Sequence, residues 1–238
     1  ESFADDFEVK TAANGEQGME QALNSIPDII VSDIMMPVMN GIMMCKILKE
    51  DVRTSHIPII LLTAKDSLQD KEEGYQVGAD SYLTKPFSAT LLHSRINNLL
   101  ESRKRLTERF NTSTPHHNMD EKRALLAESL NKLDNEFIEK INQLIEARLS
   151  SEKIDIGYLA DNMCMSKSTL YRKMKALTGL STNEYVRKIK MQHAERLLLE
   201  GRYNISEVAF RVGINSVVYF RQCFKEEFGV LPSEYLKQ

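Results

Sequence analysis

Three residues in the first hundred stand where sheet proteins do chemistry: Asp33, Thr63 and Lys85. Asp33 closes the apolar run "PDIIVSD", Thr63 closes "HIPIILLT", and Lys85 follows "DSYLT". Ligands of open α/β sheets bind beyond the carboxyl ends of the strands. A carboxylate there can act as a nucleophile and form an acyl phosphate. A hydroxyl and an ammonium can then hold the phosphoryl oxygens and offset their charge. Pro86 follows Lys85 and stiffens its loop, in a position suited to a cis bond. Taken singly, each residue is weak, because an aspartate after a strand is more commonly a helix cap. At three successive strand ends, coincidence is a poor explanation.

A second set of groups lies on helices near the end of the chain. "IDIGYLADNMCMSKSTLYRKMKALTG" and "YNISEVAFRVGINSVVYFRQCFKEEFG" each read as helix, turn, helix. They repeat one another. Leu170 aligns with Phe220, Met174 with Phe224, Gly179 with Gly229, and Glu184-Tyr185 with Glu234-Tyr235, all at an offset of 50. Ala160 and Ala209 differ by 49, so the second turn carries one inserted residue. Two copies are too few for a solenoid and indicate a duplicated helix-turn-helix. Ala160 and Ala209 let the paired helices approach, and Ser166 and Ser216 cap the second helices. Leu170, Met174 and Leu177, like Phe220, Phe224 and Phe228, form a core stripe. The other faces carry Lys167, Tyr171, Arg172 and Lys175, then Val218, Arg221, Gln222 and Lys225. The first residues of a recognition helix meet base edges, while Lys and Arg also reach phosphates. By itself, a charged helix face is more often only solvated surface.

These groups need a frame. The chain has 238 residues, which predicts one or two domains. Its 42% hydrophobic and 27% charged residues fit an ordinary globular protein. No apolar run reaches the ~18 residues of a membrane span, and no signal peptide is read at the start. Three distant cysteines, Cys45, Cys164 and Cys223, predict idle thiols in a reducing cytosol rather than disulfides or zinc. His116-His117 sits in the polar stretch "NTSTPHHNM" and reads as linker rather than metal site. Net charge is −3 but unevenly shared. Residues 1–100 hold 8 basic against 15 acidic groups, and residues 152–238 hold 14 against 10. An acidic front and a basic back suggest two tasks.

The front alternates strand and helix signals. Strands are expected at "FEVKT" (7–11), "DIIVS" (28–32), "IPIILLT" (57–63) and "DSYLT" (80–84). Helices are expected at 14–25, at 65–78 with Gly78 as a stop, and at 88–106 with a Ser88 start. Alternating βα units predict a parallel sheet covered on both faces. After the linker at 111–119, every periodic segment is helical. Residues 120–150 read as one or two helices, the second capped by Asp134.

"PDIIVSDIMMPVMNG", "HIPIILLTAK" and "GADSYLTKPF" together resemble a response-regulator receiver domain over roughly residues 1–105. That resemblance implies a flavodoxin-like α/β fold. It makes Asp33 the acceptor of phosphate from a histidine kinase, and Thr63 and Lys85 the residues that sense it. Tyr82 becomes the switch aromatic, and Asp33 with the Met35 carbonyl would be ligands of a magnesium ion. A receiver begins with a strand ending in paired acids. Asp5-Asp6 follow no apolar run and read as a loop after the first helix. The expectation is a receiver lacking its first strand and acid pair, hence a fragment that binds magnesium poorly.

The duplicated segment, closed by "SEYLKQ", resembles the AraC-type DNA-binding domain over 132–238, an all-α double helix-turn-helix; residues 106–131 would connect the two. The usual aromatic after Gly213 is Ile214 here. By this resemblance Lys167, Ser168, Tyr171 and Arg172 contact double-stranded DNA from the first module. Ser216, Val218, Arg221 and Gln222 do so from the second. The helix in 181–201 would hold two recognition helices in adjacent major grooves, about 34 Å apart along the duplex. The whole resembles the C-terminal end of hybrid two-component sensors, with a histidine kinase as phosphodonor and a homodimer as the active form. The rivals are a stand-alone response regulator and a constitutive DNA binder whose receiver only dimerises. An aspartate-based phosphatase would need a second Asp two residues beyond Asp33, where Met35 stands.

Overall fold

The computed structural model describes residues 6–64, 77–111, 130–150 and 154–236. The chain divides into two units, 1–105 and 106–238, each described by itself.

In the first unit, helix α1 (Gly15–Ser25) starts at Asn14, whose side chain accepts a hydrogen bond from the Gln17 amide. Strand β1 (Ile30–Asp33) follows, then helix α2 (Gly41–Glu50), capped in the same way by Asn40. Strands β2 (Ile59–Thr63) and β3 (Ser81–Thr84) precede the long helix α3 (Ala89–Asn111). Ser88 opens α3 by accepting from the Leu91 amide at 3.2 Å. The described strands form one parallel sheet in the order β1-β2-β3. Ile59, Ile60 and Leu61 are fully buried, so β2 is covered on both faces. On one face Ile59 and Leu61 pack with Ala22, Met44, Cys45 and Leu48 of α1 and α2. On the other, Ile60 and Leu83 pack with Leu92 and Ile96 of α3. Burial pushes the Cys45 thiol up to about 11, which leaves it an inert core residue.

The expected strand at 7–11 is not formed. Residues 8–12 are irregular and exposed. A strand exists only by hydrogen bonding to a neighbour, and none of the described strands pairs with this segment. Phe7 still packs against the α3 face, its ring 5.8 Å from that of His93. Asp6 contacts His93 at 3.1 Å. The expected helix at 65–78 lies outside the described residues apart from Val77 and Gly78, and Gly78 has a left-handed φ of +84°. His116-His117 and the segment 120–129 also lie outside.

The second unit is helical throughout its described residues. It comprises α4 (Lys132–Glu146), α5 (Ile156–Asn162), α6 (Lys167–Thr178), α7 (Thr182–Leu199), α8 (Ile205–Arg211), α9 (Val217–Phe228) and the short α10 (Pro232–Tyr235). Asp134 is not the cap of α4. Asn131 takes that place, because its side chain accepts from the Asp134 amide, while Asp134 sits in the first turn.

The repeat is realised in the backbone. α5 and α8 have seven residues each, and α6 and α9 have twelve each. Ser166 and Ser216 cap the second helices, and left-handed Gly179 and Gly229 end them. In the first turn the Met165 amide bonds the Ala160 carbonyl at 3.0 Å; in the second, Ile214 bonds Ala209 at 2.9 Å. Asn215 is therefore the inserted residue. Tyr185 and Tyr235 also match: one hydroxyl donates to Asn142 in α4, the other to Glu195 in α7. Helix α7 thus closes the first module and opens the second. A second-module core forms from Met191, Ala194 and Leu198 of α7 with Val208, Phe220 and Phe224.

Cys164 and Gly213 occupy equivalent turn positions, with φ of +52° and +66°. The left-handed region costs an L-residue about 1–2 kcal/mol, partly offset by the extra unfolded-state freedom of glycine. Cys164→Gly is expected to stabilise the second unit by about 0.5–1 kcal/mol in urea denaturation.

Candidate phosphoacceptor site and nucleic-acid interface

Strand register builds the first site. Asp33 lies beside Leu62 of β2, and Leu62 lies beside Leu83 of β3. Lys85, two residues past Leu83, returns to the Asp33 face of the pleat. The ladder continues beyond the strands, since the Ile34 amide bonds Leu62 O at 3.0 Å and the Lys85 amide bonds Thr63 O at 2.7 Å. As a result the Lys85 ammonium reaches the Asp33 carboxylate directly. The Met35 amide donates to the other carboxylate oxygen at 3.2 Å. The Lys85–Pro86 bond is cis. Partial burial works to raise the Asp33 pKa, but the Lys85 ammonium and the Met35 and Ile34 amides outweigh it. The carboxyl is held below its ordinary value of 3.8 and stays ionised at neutral pH, as a nucleophile must. That contribution to stability is present above the ordinary carboxyl range and lost as pH falls through the lowered value.

Thr63 closes β2 beside Thr84 and is buried. Tyr82 is half-buried, on the face of the sheet that carries Leu61 and packs on α1 and α2. Asp33 and Lys85 are brought into contact, while Thr63 and Tyr82 belong to the pleat's other face. Met35 is exposed, and among the described residues no three carboxylate, histidine or cysteine groups gather as a metal site. Asp5 lies outside the described residues, and Asp6 points to His93. The described donors therefore do not make a magnesium site at Asp33, and no step below is routed through a metal.

Sequence reading missed Gly41. The loop after β1 folds back so that the Gly41 amide bonds Ile34 O at 3.0 Å. A Cβ on Gly41 would stand 2.2 Å from the Asp33 carbonyl oxygen. The clue was a glycine directly after the asparagine that caps α2. Val38, in the same loop, takes a left-handed φ of +66°.

On the helical unit, all eight candidate DNA contacts are exposed. Lys167 and Ser168 open α6, and Tyr171 and Arg172 follow one turn on. Ser216 caps α9, and Val218, Arg221 and Gln222 lie on its outer side. Ser168 Oγ lies 2.9 Å from Ser166 Oγ, Ser216 Oγ accepts from the Tyr219 amide at 3.3 Å, and Gln222 donates to Glu226 at 3.1 Å. Lys173 was also missed. It falls three residues after Leu170, inside the apolar stripe, and is fully buried. A charged residue in a core stripe was the available signal.

A strand-end carboxylate met by a lysine is the site geometry of a receiver. Residues 2–97 match the family model of the response regulator receiver domain, and residues 159–238 match that of a helix-turn-helix domain. The chain carries a response regulator receiver domain of flavodoxin-like fold followed by an AraC-type helix-turn-helix domain. Histidine kinase P4 of Formosa agariphila is 35% identical over 97% of this chain, which spans 16% of that protein. Response regulator PleD of Caulobacter vibrioides is 42% identical over 40% of this chain and 21% of its own length. The C-terminal domain of AraT, a response regulator from Geobacillus stearothermophilus, is 31% identical over 42% of this chain and 84% of that one, with a TM-score of 0.39. Both matched domains are regulatory in kind. Among the described residues no helix is long and apolar enough to cross a membrane.

Gly41→Ala forces the loop away from Asp33. It is expected to destabilise the first unit by about 1–3 kcal/mol in thermal or urea unfolding.

Proposed function

We propose that the protein is a transcription regulator in which phosphorylation of Asp33 controls DNA binding by α6 and α9. One observation carries this: a carboxylate poised by Lys85 shares a chain with a duplicated helix-turn-helix. A phosphoryl group adds roughly −1.5 to −2 charge and three acceptors at Asp33. Lys85 would exchange its carboxylate partner for phosphoryl oxygens, and Thr63 and Tyr82 would follow. The face formed by β3 and α3 would then pair two copies. Pairing raises the effective concentration of each DNA-binding unit on tandem sites. Arg172 and Arg221 are the side chains best suited to bidentate base contacts, with the other six candidates reading or holding the backbone. Chemistry is confined to accepting the phosphoryl group, with a histidine kinase as donor. The resemblance of nearly the whole chain to a histidine kinase supports a hybrid sensor as its setting, in the cytoplasm where DNA is. A kinase region in the same reading frame would separate that setting from a stand-alone regulator.

In a polypeptide extended ahead of residue 1 by a receiver's first strand and its paired acids, a small acyl-phosphate donor with magnesium is expected to place one phosphoryl group on Asp33, seen by intact mass and absent in Asp33→Asn. DNA affinity should rise several-fold with it. Affinity that does not move would favour a constitutive binder. Arg172→Ala is expected to relax base preference at one position by about 1–3 kcal/mol in competition binding. An equal loss on all sequences would reassign Arg172 to the phosphate backbone.

A further inference from the structure

The first recognition helix is anchored by a buried charge. Lys173 is fully buried, with its Nζ 2.5 Å from Asp134 Oδ1 in α4 and 4.9 Å from the Phe137 ring centre. The other Asp134 oxygen accepts from Asn131 Nδ2 at 2.8 Å. The Asp134 amide in turn donates to Asn131 Oδ1 at 2.9 Å. Asp134 stands in the first turn of α4, where the helix dipole favours a carboxylate. Arg172, a candidate base contact, is the residue before Lys173, about 100° around α6.

The second module is built differently at the same place. The matched tyrosine bonds to Asn142 and Glu195 put α7 in the role of α4 at an offset of 53. Arg187 then stands where Asp134 does, and Cys223 where Lys173 does. Cys223 joins the apolar core. Arg187 instead bonds Tyr219 and lies 3.8 Å from Glu226, with both side chains about half exposed. At this one position the first module has a dry ion pair between helices and the second a solvated one; the second module's largely buried α7–α9 pair, Lys188–Glu227 at 3.8 Å, stands at a different place on α9.

Apolar contact is non-directional and allows a helix to roll at low cost. A buried ion pair with fixed partners does not, because separating it strands a charge. We propose that Asp134 and Lys173 are positioning residues that fix the roll of α6, and so the base preference of the first module but not the second. This rests on the DNA-binding reading above.

The test is selection by the full chain from a randomised double-stranded oligonucleotide pool. The parent should enrich two blocks of preferred bases, with Arg172→Ala marking the first and Arg221→Ala the second. The double variant Asp134→Leu with Lys173→Met replaces the pair by apolar groups of similar size, a change buried pairs generally tolerate. With folding verified by its melting curve, it should lose about tenfold of base preference in the first block. The second block should stay within about twofold. Should that variant not fold, Asp134→Asn with Lys173→Met, which strands no charge and keeps an acceptor for Asn131 Nδ2, carries the same expectation. Two unchanged blocks, or two that weaken equally, would overturn the inference. A parent that enriches no sequence would overturn the DNA-binding reading itself, and this inference with it.

Discussion

Parallel register is the constraint on which the acidic unit depends. Once Ile60 lies beside both Val31 and Ser81, every later residue of the three strands has its place. The two-residue period of the pleat then puts Asp33, Leu62, Leu83 and Lys85 on one face. Slipping β3 by one residue would bury Lys85 and turn it from Asp33. Such a slip would also turn Leu83 away from Leu92 and Ile96 of α3, so it is strongly disfavoured. Chemistry at the strand ends is thus fixed by apolar side chains that never touch it. The loop after β1 adds the second constraint, with Gly41 pressed on the Asp33 carbonyl.

The basic unit follows another economy. Helix α7 serves two modules, closing one with Tyr185 and opening the other with Glu195. Its eighteen residues span about 27 Å, and they are packed along much of their length. Lys190 reaches the Gly213 carbonyl at 3.3 Å, tying α7 to the second turn. A helix held from both sides resists bending, and α6 and α9, packed on either end of it, keep their spacing.

Much of this was legible beforehand. The strand ends at Asp33, Thr63 and Thr84 fell where the apolar runs stopped. The repeat gave both pairs of helices and the inserted residue. The segment 7–11 misled, because Phe7 and Val9 alternate like a strand while pairing requires a neighbour that spacing does not reveal. Asp134 misled for a different reason. It has the chemistry of a cap, but the helix starts three residues earlier at Asn131, which accepts from the Asp134 amide and leaves the carboxylate for Lys173. Lys173 itself was read past because it stands in a basic run between Arg172 and Lys175.

The sequence by itself determined which residue types meet at strand ends and that one helix pair is copied, since both are properties of order along the chain. Only the tertiary structure decided that Lys85 touches Asp33, that Gly41 seals the loop, and that a charge pair joins α4 to α6. Those contacts span 52, 8 and 39 positions. Each is set by how helices and strands pack, and no local preference encodes it.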